Sequence, residues 1–278
     1  MLHIAVVIGT RPEAIKLAPV IREMKSRSNF RVTLVNSGQH REILDEALSV
    51  FALQSDVHLG LMVPGQSLAS LTSRAIIQLH DSFRDLDPDV VMVHGDTTTA
   101  LSAAIASFYL KIPVAHVEAG LRTNDIYSPF PEELNRQTVG RIAAFNFPPT
   151  LASRQNLLNE GIPGDRVFVT GNTVVDAAAW VAENYLSDSD WVSTHSSGIQ
   201  DFGLLEILGK PYGLITLHRR ENHGAAFEEI LSVVREKAIQ NSDFTFVFPV
   251  HPSPAIAEPA NRILGGLENV RLIPPLDY

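Results

Sequence analysis

Acidic and histidine residues recur where short apolar runs of this sequence end: His94-Gly95-Asp96, His116-Val117-Glu118, His218-Arg219-Arg220 and His251. Gly9-Thr10-Arg11 closes a further run, and Pro131-Glu132-Glu133 opens an amphipathic one. Asp96, Glu118 and Glu132 are the candidates for proton transfer. Crowded carboxylates raise one another's pKa, which acid/base chemistry near neutral pH requires. Residues 9–16, GTRPEAIK, carry Arg11 and Lys16 at a helix start, an arrangement suited to phosphate. The same segment also has a local structural use. Thr10 and Glu13 have the spacing of a capping box, with Pro12 in the first turn. The two uses are compatible: Glu13 caps, and Arg11 and Lys16 bind. Arg136 stands four residues after Glu132, the spacing of a helical ion pair.

These residues need a frame that brings strand ends together. Apolar β-type runs at 3–8, 31–36, 89–94, 113–117, 144–147 and 166–169 alternate with helical patterns near 12–26, 40–51, 67–84, 97–109, 132–143 and 150–160. Buried runs of this length separated by helices predict a parallel sheet covered on both faces. Ligands of such sheets bind beyond the carboxyl ends of the strands. A helix near 173–186 and a Ser/Asp/Gly-rich stretch from Ser187 to Gly209 precede a second series. Its strands fall near 212–217, 244–249 and 269–273, with helices near 224–240 and 254–264. Three strands before Tyr278 are fewer than the five or six usual in doubly wound domains, so the second domain is either small or cut.

Composition narrows the chemistry. With 22 Lys and Arg against 31 Asp and Glu, the net charge of −9 argues against a nucleic-acid surface, although local cations still permit an anionic ligand. Cysteine is absent, which excludes disulfides, thiolate metal sites and a cysteine nucleophile. The 45% hydrophobic content of 278 residues is that of a folded chain. No run reaches the ~18 apolar residues of a membrane span. Met1–Ile8 meets Gly9-Thr10-Arg11-Pro12 too soon for a signal peptide, and a cytoplasmic protein is expected. The first strand is not followed by G-x-G-x-x-G, and neither a Walker sequence nor H-E-x-x-H occurs. No dinucleotide cofactor and no metal are therefore predicted.

Seven segments taken together carry a resemblance: GTRPEAIK, HGDTTT (94–99), HVEAGLRT (116–123), YSPFPEELNRQ (127–137), TGNTVVDA (170–177), LHRREN (217–222) and PVHPSP (249–254). Their order and spacing resemble the non-hydrolysing UDP-N-acetylglucosamine 2-epimerases. The resemblance implies two Rossmann-like, GT-B-like domains, here 1–170 and the first part of a second over 171–278, in a chain shorter than the family's. It implies reversible conversion of UDP-GlcNAc to UDP-ManNAc for bacterial surface polysaccharide, by anti elimination of UDP to a 2-acetamidoglucal and re-addition. No cofactor is needed, and a homodimer is expected.

By motif match, the resemblance makes Asp96, Glu118 and Glu132 the acid/base residues. It has His218 assist UDP departure and sets Arg11, Lys16, Arg136 and His251 near substrate or phosphates. Bacterial members can carry an activating UDP-GlcNAc site; Gln39 fits its pattern. Glu42 stands where some members have glutamine, and Gly65 where some have arginine. Two alternatives stay open: a hydrolysing epimerase releasing ManNAc and UDP, and a non-catalytic UDP-sugar-binding fragment.

Overall fold

The structure, a computed structural model, describes residues 1–38, 41–61, 63, 65–186, 204, 207, 210–217 and 224–275. The chain forms two compact units, Met1–Ser187 and Asp188–Tyr278.

The first unit holds β1 (Leu2–Ile8), α1 (Arg11–Ser26), β2 (Phe30–Asn36), α2 (Arg41–Val50), β3 (Val57–His58), α3 (Leu68–Leu86) and β4 (Val90–His94). It continues through α4 (Thr98–Tyr109), β5 (Val114–Val117), α5 (Glu132–Ile142), β6 (Phe145–Phe147), α6 (Leu151–Asn159) and α7 (Thr173–Val181). Its six strands are parallel in the order β3-β2-β1-β4-β5-β6, so the order reverses between β1 and β4. Strand residues supply both faces by alternation. Ile4, Val6 and Ile8 join Leu17, Ile21 and Phe51 on one side; Ala5, Val7, Val91 and Val93 join Leu79, Phe83 and Ala103 on the other. Two buried faces explain why these strands read as continuous apolar runs.

The second unit, among its described residues, has β7 (Tyr212–Leu214), α8 (Ala225–Gln240), β8 (Thr245–Pro249), α9 (Pro254–Leu264) and β9 (Val270–Ile273), a parallel three-stranded sheet in the order β7-β8-β9. Phe227, Leu231, Phe248, Ile256 and Leu264 form its core.

Three features differ from the sequence reading. The run 166–169 is not a strand: Gly164–Arg166 is a 3₁₀ turn, and only an isolated bridge from Val167 to Asn146 extends the sheet. The two-residue edge strand β3 is too short for an alternating pattern to mark it. The unit boundary lies beyond residue 170, because Ala177 of α7 is fully buried in the first core with Trp180 and Val181 packed against it. Most of the expected linker, 187–209, lies outside the described residues.

α1 begins as its sequence dictates. The Glu13 carboxylate accepts from the Thr10 amide at 2.7 Å and hydroxyl at 2.9 Å, and from the Gly9 amide at 2.9 Å. Its other oxygen accepts from the Thr97 hydroxyl at 2.6 Å, tying the turn after β1 to the turn after β4. Burial pushes the Glu13 pKa up, against those four hydrogen bonds.

Candidate functional site in the first unit

β4 and β5 run side by side, with His94 level with Val117. Asp96 and Glu118 therefore emerge together, each from a tight turn. Gly95 adopts φ +63°, which suits glycine. Glu118 adopts φ +60°, which costs a residue with a Cβ about 1–2 kcal/mol. The Gly95 amide donates to the Val117 carbonyl at 2.9 Å. The His116 ring donates from Nε2 to the Gly95 carbonyl at 2.7 Å, and Asn135 Nδ2 donates to the Asp96 carbonyl at 2.8 Å. Thr97, rather than Asp96, caps α4, accepting from the Ala100 amide at 3.0 Å.

The two carboxylates have different neighbours. Lys16 Nζ lies 2.8 and 2.7 Å from the oxygens of Glu118, and Asn172 Nδ2 donates to the same group at 3.0 Å. Asp96 Oδ2 is 2.6 Å from Arg136 Nη2. Burial nevertheless pushes the Asp96 pKa up, assisted by the negative charges of Glu132 and Glu118 and opposed by Arg136 and Lys16. Lys16, Asp96, Glu118, Glu132 and Arg136 thus share one electrostatic neighbourhood at the carboxyl ends of β4 and β5.

The ion pair expected between Arg136 and Glu132 is not the one formed. Arg136 reaches Asp96 and, at 3.6 Å, Glu133, whose side chain is fully buried. Desolvation works to raise the Glu133 pKa. Hydrogen bonds from Gln137, Thr123 and Asn124, with the Arg136 charge, outweigh it and hold the pKa low. The inward side of α5 faces the β4 turn, so tertiary partners displace the helical one.

Arg11 is exposed and makes no ion pair among the described residues. His251 belongs to the second unit, where it is exposed and accepts from the Ser253 amide at 3.1 Å. His218 and Gln39 lie outside the described residues, as does the side chain of Glu42. Asn172 was not singled out by the sequence reading. Its local signals are its place in the segment TGNTVVDA and as the cap of α7, where its Oδ1 accepts from the Val174 amide. Among the described residues, no group of three or more His, Asp or Glu side chains is arranged to hold a metal ion. No helix there is long and apolar enough to cross a membrane.

His94 and His116 are both buried. Desolvation, with repulsion from Lys16 and His116, pushes the His94 pKa down to about 3. The 3.8 Å approach of His94 Nε2 to Glu118 is accordingly a contact of a neutral ring, not an ion pair. Desolvation pushes His116 down to about 4, against the hydrogen bond to Gly95. Asn146 lies close enough to influence the ring, without the geometry of a hydrogen bond to its Nδ1.

Both rings stay neutral in the folded protein while the unfolded chain protonates near 6.5, so their stability contribution is full above pH 6.5. It drains as pH falls from 6.5 through about 4 and then about 3. At pH 5.5 each ring is expected to cost roughly 1.4 kcal/mol. Urea unfolding at pH 7.5 and 5.5 checks this. His116→Gln is expected to shrink the difference by about one ring's share, which separates the effect from the raised carboxyls, since these act in the opposite sense. An unchanged difference would refute it.

Residues 22–278 match the family model described as UDP-N-acetylglucosamine 2-epimerase. The chain is 46% identical over 277 residues to the UDP-N-acetylglucosamine 2-epimerase of Yersinia pestis, covering all of this chain and 73% of that protein. It is 47% identical to the Salmonella typhimurium enzyme, with the same coverage. The crystal structure of the Neisseria meningitidis UDP-GlcNAc 2-epimerase bound to UDP-GlcNAc is similar at a TM-score of 0.89 and 43% identity, covering 100% of this chain and 73% of that one. The Methanocaldococcus jannaschii enzyme in complex with UDP-GlcNAc and UDP has a TM-score of 0.75 at 29% identity, covering 100% and 74%.

Proposed function

The chain belongs to the UDP-N-acetylglucosamine 2-epimerase family, and from that premise we propose that it interconverts UDP-GlcNAc and UDP-ManNAc in the cytoplasm, as a homodimer, for surface polysaccharide synthesis. The observation that carries the reading is the meeting of Asp96, Glu118 and Glu132 with Lys16 and Arg136 at two adjacent strand ends.

The C2 proton of the sugar is weakly acidic, so its removal is coupled to loss of the C1 substituent. A carboxylate takes the proton, the C2–H electron pair becomes the C1=C2 double bond, and the C1–O pair leaves with UDP. The product is 2-acetamidoglucal. Return of a proton to the other face of C2, with UDP re-adding at C1, inverts the centre. Two faces call for more than one acid/base group. Asp96, whose proton affinity burial has raised, Glu118 and Glu132 share this acid/base work between the two faces. Cations offset the charge that develops on departing UDP. Arg11, Lys16, Arg136 and His251 are assigned to the substrate or its phosphates, with His218 at the leaving group. Gln39 and Glu42 are assigned to a second, activating UDP-GlcNAc site.

The test is incubation with UDP-GlcNAc in D₂O. UDP-ManNAc carrying deuterium at C2 is the expected product. Product without deuterium would overturn the proton transfers. Free ManNAc with UDP would indicate the hydrolysing reaction, and UDP binding without turnover a non-catalytic chain.

A further inference from the structure

We propose that His116 is a positioning residue for Asp96, holding through the Gly95 carbonyl the turn that presents this carboxylate. The inference rests on the proton-transfer role assigned to Asp96 above.

A backbone carbonyl only accepts, so the 2.7 Å contact requires the hydrogen on His116 Nε2. The ring is fully buried, and its Nδ1 has no hydrogen-bond partner. Its one hydrogen bond is therefore spent on this turn. Val117, the next residue of β5, receives the Gly95 amide, so successive β5 residues grip both polar groups of Gly95. The next carbonyl, that of Asp96, is held by Asn135, and the Asp96 carboxylate by Arg136, successive residues of α5. Three consecutive groups, the two carbonyls and the carboxylate, thus each have a side-chain partner. A glycine at φ +63° is the least constrained point of this turn, and it is where His116 acts. Burying an imidazole is costly unless it is hydrogen-bonded, and the Gly95 carbonyl is the partner that offsets that cost here.

The experiment compares His116→Leu, which fills the space without a donor, with His116→Gln, whose amide keeps a donor at comparable reach. With UDP-GlcNAc as substrate, kcat of His116→Leu is expected to fall about 10²-fold, as for a misplacement of about 1 Å, with KM little changed. His116→Gln should restore most of it. Asn135→Ala, which frees the next carbonyl, is expected to lower kcat in the same way and serves if His116→Leu fails to fold. Equal losses in the leucine and glutamine variants, a change in KM alone, or full activity in a folded leucine or Asn135→Ala variant would overturn the proposal. A wild-type chain that makes no UDP-ManNAc would instead refute the assigned function. In that case a crystal structure of His116→Leu, or of Asn135→Ala, decides: Asp96 displaced from Arg136 supports positioning, and an unmoved Asp96 overturns it.

Discussion

Glu118→Gln is expected to lower kcat for epimerisation of UDP-GlcNAc by about 10²–10⁴-fold, the usual contribution of a positioned acid or base. The substitution keeps the shape and one acceptor oxygen, so Asn172 retains a partner. It removes the charge that faces Lys16 on both oxygens and the ability to carry a proton. Asp96→Asn is expected to fall in the same range, with its Arg136 contact weakened. Steady-state rates, with deuterium uptake at C2 measured in the same samples, check both. A Glu118→Gln enzyme within about fivefold of wild type would remove Glu118 from proton transfer, since a positioned acid or base is worth at least about 10²-fold. Because Glu118 already occupies a strained left-handed backbone, unfolding should accompany the assay, to show that lost activity is not lost structure.

Gly120→Ala is the second large effect, and it acts on stability. A Cβ at Gly120 would stand 2.2 Å from the Ser153 carbonyl oxygen and 2.9 Å from its carbon, both backbone atoms of α6. The residue also has φ +83°. Asn156 of α6 already holds the Gly120 carbonyl at 3.0 Å, and Arg122 grips Glu160 through two hydrogen bonds, so α6 has little freedom to retreat. Overpacking of about 1–3 kcal/mol and left-handed strain of about 1–2 kcal/mol add to roughly 2–5 kcal/mol. That is a large share of a domain's stability of about 5–15 kcal/mol. Gly171→Ala is the control: it shares the backbone at φ +82° but has nothing within 4 Å of its Cβ, and should lose only the strain of about 1–2 kcal/mol. Urea midpoints of the two variants test this, and equal losses would show that the approach of α6 is not what requires glycine.

Much of this was legible in the sequence because it depends on local pattern. Apolar runs marked β1, β2, β4, β5 and β6, and the polar residues beyond them fell together because a parallel sheet aligns its carboxyl ends. The capping box at Thr10 and Glu13 was legible for the same reason. What failed depends on tertiary distance. Arg136 has a helical partner in Glu132 at the right spacing, yet a strand turn brought Asp96 closer. Glu133 looks like a solvated helix-start residue, but it is buried and binds the amides of Thr123 and Asn124. Asn172 meets Glu118 across 54 residues, and no periodicity encodes that contact. The end of the first unit was misplaced because α7 follows an apolar run that only half joins the sheet, while its packing is set by distant partners, Arg22 of α1 and Phe51, which meet Trp180.

The carboxylate of Glu13 carries one more implication. In dinucleotide-binding folds the amides that open the first helix are left vacant for a pyrophosphate. Here the amides of Gly9 and Thr10 are already engaged by an internal acid, held in turn by Thr97 of the neighbouring strand turn. Two of the amide donors at this turn are therefore spent inside the fold, and a diphosphate approaching it must take its hydrogen bonds from other groups, the side chains of Arg11 and Lys16 among them.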